Sequence, residues 1–266
     1  MVKGLYTAWT GMVNEQNRMD VLTNNLANVN TTGYKKEGAT SQAFSDVLGL
    51  KIKDLSEAPN TARRLGTMNM GVKIGEGYTD YTDGPMKSTG NTYDLALQGK
   101  GFFAIDYTNK AANVERTDAN QQTTMYTRDG NFTLDTNGNL VTDDGDFVLD
   151  TDGNHIKLNP NLSSQINTKG QIIQDGNVVA TIQVADFADY NYLEHYGENY
   201  FQPVDGATKT DATATVNSGF LEQSNVSAVD EMVSIIAVQR NYEANQKMIQ
   251  TEDTTLNTAT TELGRL

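Results

Sequence analysis

Two histidines, His155 and His195, and no cysteine leave few side chains for proton or thiol chemistry in this 266-residue chain. Neither histidine has an acid–base partner close to it in sequence, so both read as strand or surface residues. Gly99, Gly101 and Ala104 match a G-x-G-x-x-A spacing, but the strand-like run FFAIDY follows where a bound phosphate needs a helix N-terminus. There is no H-E-x-x-H, P-loop or G-x-S-x-G sequence. The reading is of no enzyme, with no cofactor and no catalytic residue.

Calcium is the chemical alternative. Asp135, Asn137 and Asn139 place oxygens at alternate positions, as do Asp150, Asp152 and Asn154. An EF-hand loop needs glycine at its sixth position and glutamate at its twelfth, whereas the first stretch has Leu140 and Asp146 there, and the second has His155 at its sixth. Hairpin turns explain both. A calcium-dependent β-domain binding module stays open as an alternative of another class, and no metal ligand is assigned.

The elements that would position any site divide the chain in four. Over the first 30 residues, Leu5, Met12, Met19 and Leu26 recur every seventh position, with Ala8, Leu22 and Val29 in a companion row that Glu15 interrupts. A helix over residues 3–29 would be roughly 40 Å long. From about Asn225 onward Ile235, Tyr242, Ile249, Leu256 and Leu263 repeat the design. Ser224 or Ser227 is placed to cap that helix, and Asp230 and Glu231 suit its positive end. Its companion row, Gln239, Gln246, Asp253 and Thr260, is polar after Met232, so neither stripe makes a stable two-stranded coiled coil alone.

Between the helices, short runs such as GFFAIDY, NFTLD, FVLD and TIQVADF are punctuated by DG, NG and GN pairs, which mark strands and hairpins. Phe102, Phe103, Phe132 and Phe147 read as core, as does one face of the segment holding Tyr190, Tyr192, Tyr196, Tyr200 and Phe201. The fold class is therefore mainly β with long terminal α-helices: an antiparallel β domain plus a coiled-coil-like helical stem. The expected domains are an N-terminal assembly helix and turn (1–36), a connector or extended arm (37–70), an antiparallel β domain (71–221) and a C-terminal assembly helix (222–266).

Composition narrows the partners. The formal charge of −14 repels nucleic acid and anionic membranes. Residues 1–36 carry Lys3, Arg18, Lys35 and Lys36 against Glu15 and Asp20, while the acidic surface falls on the middle of the chain. No run approaches the 18 or so apolar residues of a membrane span, and the N-terminus MVKGLYTAWTGMVNEQ lacks a signal-peptide core, so neither membrane insertion nor a cleavable leader is expected.

The helix stop NNLANVNTTGYKK resembles the N-terminal signature of the flagellar rod and hook family of bacterial axial proteins, through Asn25, Leu26, Ala27, Asn28, Thr32, Gly33, Tyr34 and Lys35. TYDLALQGKGFFAID (92–106), YTRDGNFTLDTNGNLVTDDG (126–145) and the segment from GFLEQSNVSAVDEMV to TTLN (219–257) resemble further family segments in the same order; the last includes Arg240 and Tyr242. The resemblance implies a structural subunit of the basal-body rod, in which terminal helices build a hollow helical homo-oligomer that transmits torque to the hook. It further implies contacts with other rod subunits, hook protein and surrounding ring proteins. Export would use the flagellar type III apparatus, without a cleavable signal peptide, and the location would be the periplasmic rod in the cell envelope. Length is similar to that of the distal rod subunit, whereas VSAVDEMVSIIA also resembles the proximal one, and a hook-type axial subunit is the further alternative.

Such narrow apolar edges cannot offset roughly 1 to 2 kcal/mol of backbone entropy per residue without neighbours, so the terminal helices are read as polymerisation elements. The expected interface comprises Leu5, Met12, Met19, Leu22, Asn25, Leu26, Asn28, Val29, Gly33 and Tyr34 at one end. At the other it comprises Met232, Ile235, Arg240, Tyr242, Ile249 and Leu256. Its asparagines are expected to face neighbouring copies.

Overall fold

The computed structural model describes residues 2–51, 63–107, 123–197 and 199–262. The chain divides into two compact units. The first comprises residues 1–27, 37–79 and 227–266; the second comprises residues 28–36 and 80–226.

The first unit pairs the helices α1 (Val2–Ala27) and α2 (Ala228–Glu262). They run antiparallel, since Gly4 lies beside Glu252 and Gly11 beside Asn245. Leu5, Met12, Met19, Leu22 and Leu26 are half-buried, as are Ile235, Tyr242, Ile249 and Leu256, and Ala8 and Val238 are buried. The seven-residue stripes therefore serve first to join α1 to α2 within one chain. Ser227 stands at the N-cap position of α2, its carbonyl accepting from Glu231 N at 3.0 Å, and Asp230 and Glu231 occupy the first turn. Leu263 lies outside the described residues.

Among the described residues this unit also holds four strands: β1 (Glu37–Ala43), β2 (Val47–Lys51), β3 (Arg63–Met68) and β4 (Val72–Thr79). β1 pairs antiparallel with β4, and β2 with β3, forming a two-stranded arm; residues 52–62 of the expected connector lie outside the described residues. β4 thus runs with the helices instead of joining the β unit from residue 71. α1 also rests on the arm. Gly71, at φ +131°, permits close approach to the Thr10 hydroxyl, which an added Cβ would strike.

The second unit is antiparallel β. Its largest sheet has nine strands among the described residues, with Phe102–Tyr107 near the middle, flanked by Thr123–Thr127 and by Phe147–Val148. Strand alternation sends Phe103 to one core, with Leu95, Phe132, Leu140 and Ile182, and Phe102 to another, with Tyr126, Phe187 and Phe201. Phe147 is only half-buried and stacks on His155 at 4.3 Å between ring centroids. Tyr200 and Phe201 are buried, whereas Tyr192 and Tyr196 are exposed.

Candidate functional site

Parts of all four sequence segments that carry the family resemblance meet at one place in the β unit. Thr31, Thr32 and Gly33 follow α1, and Gly33 takes φ +68°, the left-handed conformation that glycine adopts without a Cβ clash. Its amide donates to the Glu222 carbonyl at 2.8 Å, laying the segment that enters the β unit beside the one that leaves it. Lys36 N then donates to Asn225 Oδ1 at 2.7 Å, while Asn225 Nδ2 donates to the Asp80 carbonyl at 2.8 Å. Thr32 Oγ1 donates to Asp129 Oδ1 at 2.8 Å, and Asn199 Nδ2 to the Thr32 carbonyl at 2.6 Å.

At the centre lies a buried ionic network. Lys35 Nζ donates to Glu222 Oε1 and to the Thr82 carbonyl, each at 2.7 Å. Arg128 Nη1 stands 3.3 Å from Glu222 Oε2 and 3.5 Å from Asp83 Oδ1, and its Nη2 donates to the Gly99 carbonyl at 2.8 Å. Gly84 N donates to Glu222 Oε1 at 2.9 Å. The Lys35 and Glu222 side chains are each 1% exposed, so neither charge has bulk water to fall back on. Burial lowers the Lys35 pKa below its usual 10.5, and the Glu222 carboxylate pulls it back up. The Arg128 guanidinium also lies over the Phe102 ring, 5.3 Å from its centroid, tying the network to the aromatic core. Chemically this is a lock: the charges face one another, and each partner holds a different part of the chain in register.

The sequence-derived interface residues separate into three groups. Leu5, Met12, Met19, Leu22, Leu26, Ile235, Tyr242, Ile249 and Leu256 occupy half-buried positions in the helical unit, and Val29 is half-buried in the β unit. Met232 and Arg240 are exposed. Asn25, Gly33 and Tyr34 correct the expectation that they face neighbours, because each is buried inside the chain. Asn25 reads the Glu37 backbone at both ends, donating from Nδ2 to its carbonyl at 2.8 Å and accepting its amide at 3.0 Å. Tyr34 is 1% exposed and meets His195 edge-on. Asn28 is half-buried and its Oδ1 accepts from Thr31 Oγ1 at 3.2 Å.

Stripe reasoning missed another set. Tyr6, Trp9 and Val13 on α1, and Val229, Val233, Ile236 and Met248 on α2, are exposed. They lie on the faces turned away from the helix pair, where a search for the dominant seven-residue row does not look. For Tyr6, Trp9 and Val13, and for Val229, Val233 and Ile236, the signal was the apolar residue type at i, i+3 or i+4 spacing outside that row; Met248 carried no such signal.

The chemical alternatives resolve locally. His155 Nε2 lies 2.9 Å from the buried Asp106 Oδ2, a partner that is remote in sequence. Asp135 Oδ1 accepts from Thr136 N at 2.7 Å, Oδ2 accepts from Asn137 Nδ2 at 3.1 Å, and Gly138 N closes the turn on the Asp135 carbonyl at 2.8 Å. These bonds hold the Asp135 pKa below its usual value, the Thr136 amide contributing most. Nothing in this hairpin supports the calcium module. Among the described residues no group of three or more His, Cys, Asp or Glu side chains is arranged to hold a metal ion, and no helix is long and apolar enough to cross a membrane.

A β unit tied together by buried, paired charges, and a helical unit bearing apolar outer faces, define a structural assembly protein. Comparison with known proteins agrees along the chain: residues 5–35 match the family described as flagella basal body rod protein, residues 96–180 the flagellar hook protein FlgE/F/G D1 domain, and residues 217–262 the flagellar basal body rod FlgEFG protein C-terminal family. The flagellar basal-body rod protein FlgG of Bacillus subtilis (strain 168) is 34% identical over 277 residues, covering 95% of this chain and 96% of its own. FlgG of Borreliella burgdorferi is 34% identical over 279 residues, covering 97% and 98%, and FlgF of Caulobacter vibrioides is 31% identical over 271 residues, covering all of both. The chain belongs to the flagellar basal-body rod protein family and is FlgG-like.

Proposed function

We propose that this chain is a distal-type rod subunit that polymerises through its terminal helices into the hollow shaft carrying torque from the basal body to the hook. The observation that carries this reading is the exposure of large apolar side chains on both helices of one unit, with Trp9 50% and Val233 62% exposed. Faces of that size on a helix pair call for cover by further helices. The polymerisation elements are residues 1–36 and 222–266, amended in detail: Asn25, Gly33 and Tyr34 shape each subunit, while Tyr6, Trp9, Val13, Val229, Val233 and Ile236 join Met232 and Arg240 on the outer surface. Other rod subunits, hook protein and the surrounding rings are the further partners, and the type III apparatus is the route out to a periplasmic location. The work is mechanical and involves no catalysis.

Sedimentation and electron microscopy of the purified chain at rising concentration test this. Hollow filaments are expected above a threshold concentration, and a monomer that persists at every concentration overturns the reading. Localising a tagged copy along the rod axis in intact basal bodies separates a distal from a proximal position.

A further inference from the structure

The helical unit carries two apolar patches at opposite ends. The α1–α2 pairing sets Gly4 level with Glu252 and Gly11 level with Asn245, so Trp9 lies level with about residue 247 of α2. The α2 patch centres on Val233, about fourteen residues away, or roughly 20 Å along the stem at 1.5 Å per residue. A groove of about 190 Å³ opens beside the α1 patch, lined by Trp9, Val13, Phe44, Val72 and Ile74, with Asn14 also in its wall. Asn14 is 3% exposed; its Nδ2 donates to Ser41 Oγ at 3.0 Å, but its buried Oδ1 has no hydrogen-bond partner among the described residues.

Resting on the rod-subunit reading, we propose that this groove receives the outer face of α2 from a second copy of the chain, shifted by roughly 20 Å along the stem. A copy related by that shift keeps its own direction, so its α2 runs antiparallel to the first copy's α1. Val233 then comes level with Trp9, Val229 with Val13 and Ile236 with Tyr6. Exposed Lys73, on the groove, comes near exposed Asp230, and exposed Ser227 comes level with Asn14. The two patches differ and lie at opposite ends, so each copy offers one and accepts the other. Such a heterologous contact does not close on itself unless the rotation closes a ring, and it extends into a filament.

The chain has no cysteine, so engineered pairs report cleanly. Val13→Cys and Val229→Cys in the full-length chain are too far apart within one molecule to join. On oxidation of the assembled protein they are expected to give a disulfide ladder on a non-reducing gel, whereas Val13→Cys with Met248→Cys gives none. Lys73→Glu should raise the assembly threshold roughly two- to fivefold, and adding Asp230→Lys should restore it. Polymer that forms without the Val13–Val229 ladder, or with an equal ladder at Met248, overturns this pairing and leaves the rod reading standing. Failure of the unmodified chain to polymerise overturns both.

Discussion

Lys35 and Glu222, 187 positions apart in the chain, share a buried 2.7 Å ion pair that joins the entry of the β unit to its exit. Glu222→Gln removes the buried carboxylate that contacts both Lys35 and Arg128, leaving Lys35 against a neutral amide and Arg128 with only the half-exposed Asp83 as its anionic contact. A loss of about 3 to 5 kcal/mol is expected in urea unfolding followed by fluorescence. Lys35→Met should cost less, since Glu222 keeps Arg128 and Gly84 N. The pH dependence is diagnostic. Lys35 titrates lower folded than unfolded, so between its folded pKa and 10.5 the unfolded state binds more protons and stability rises with pH. Without Glu222 to hold the pKa up, that window should widen in Glu222→Gln.

Gly33→Ala should destabilise the β unit by more than about 1 kcal/mol. The residue sits at φ +68°, and an added Cβ would stand 2.5 Å from the Arg128 carbonyl carbon and the Asp129 amide nitrogen. Both atoms are backbone and cannot swing aside. A melting curve no different from the parent would show that the entry segment can move without disturbing the lock.

Two nearby asparagines should behave differently. Asn25→Ala deletes both hydrogen bonds to the Glu37 backbone and should cost the monomer about 1 to 3 kcal/mol. Asn28→Leu, at a half-buried position, is expected to disturb polymerisation more than monomer stability. Thermal melts and sedimentation on the same two variants read both properties, and equal loss of both by Asn28→Leu would count against a contact role.

Alkaline unfolding should carry a mark from Tyr200. Its hydroxyl donates to Asp146 Oδ2 at 3.0 Å and Asp144 Oδ2 at 3.1 Å, and burial, reinforced by those carboxylates, raises its pKa above the usual 10.0. A raised folded pKa means that stability is fully present below pH 10.0 and is lost as pH climbs from there toward the folded value, because the unfolded tyrosine ionises first. Tyr200→Phe should flatten this limb while costing some stability at neutral pH, which a pH series of urea midpoints measures.

Periodicity is local, and so much of the architecture was legible without coordinates. Leu5, Met12, Met19 and Leu26 repeat every seven residues because a helix face repeats so, and the glycine–asparagine punctuation of the middle marks hairpins through turn conformations set by neighbouring residues. Ser224 or Ser227, followed by Asp230 and Glu231, marked the start of α2 in the same way, and the fold puts Ser227 at the cap. The domain boundary was less legible, because β4 reads as a strand whichever unit it joins, and only its pairing with β1 places it beside the helices.

Side-chain roles depended on partners distant in sequence. Asn25 and Asn28 look alike in NNLANVN, yet one is sealed against Glu37 and the other is half-buried, a difference created by where β1 passes. Lys35, Arg128 and Glu222 each stood within a recognisable motif, but no spacing rule states that they share one buried network; that required the β unit to bring residues 35, 128 and 222 together and to exclude water around them. The helices, the hairpins and the family signature follow from near neighbours and residue type, and so are written in the amino-acid order alone. Which charges are locked and which apolar faces stay open emerges on folding, because burial belongs to the folded chain and not to any single segment of it.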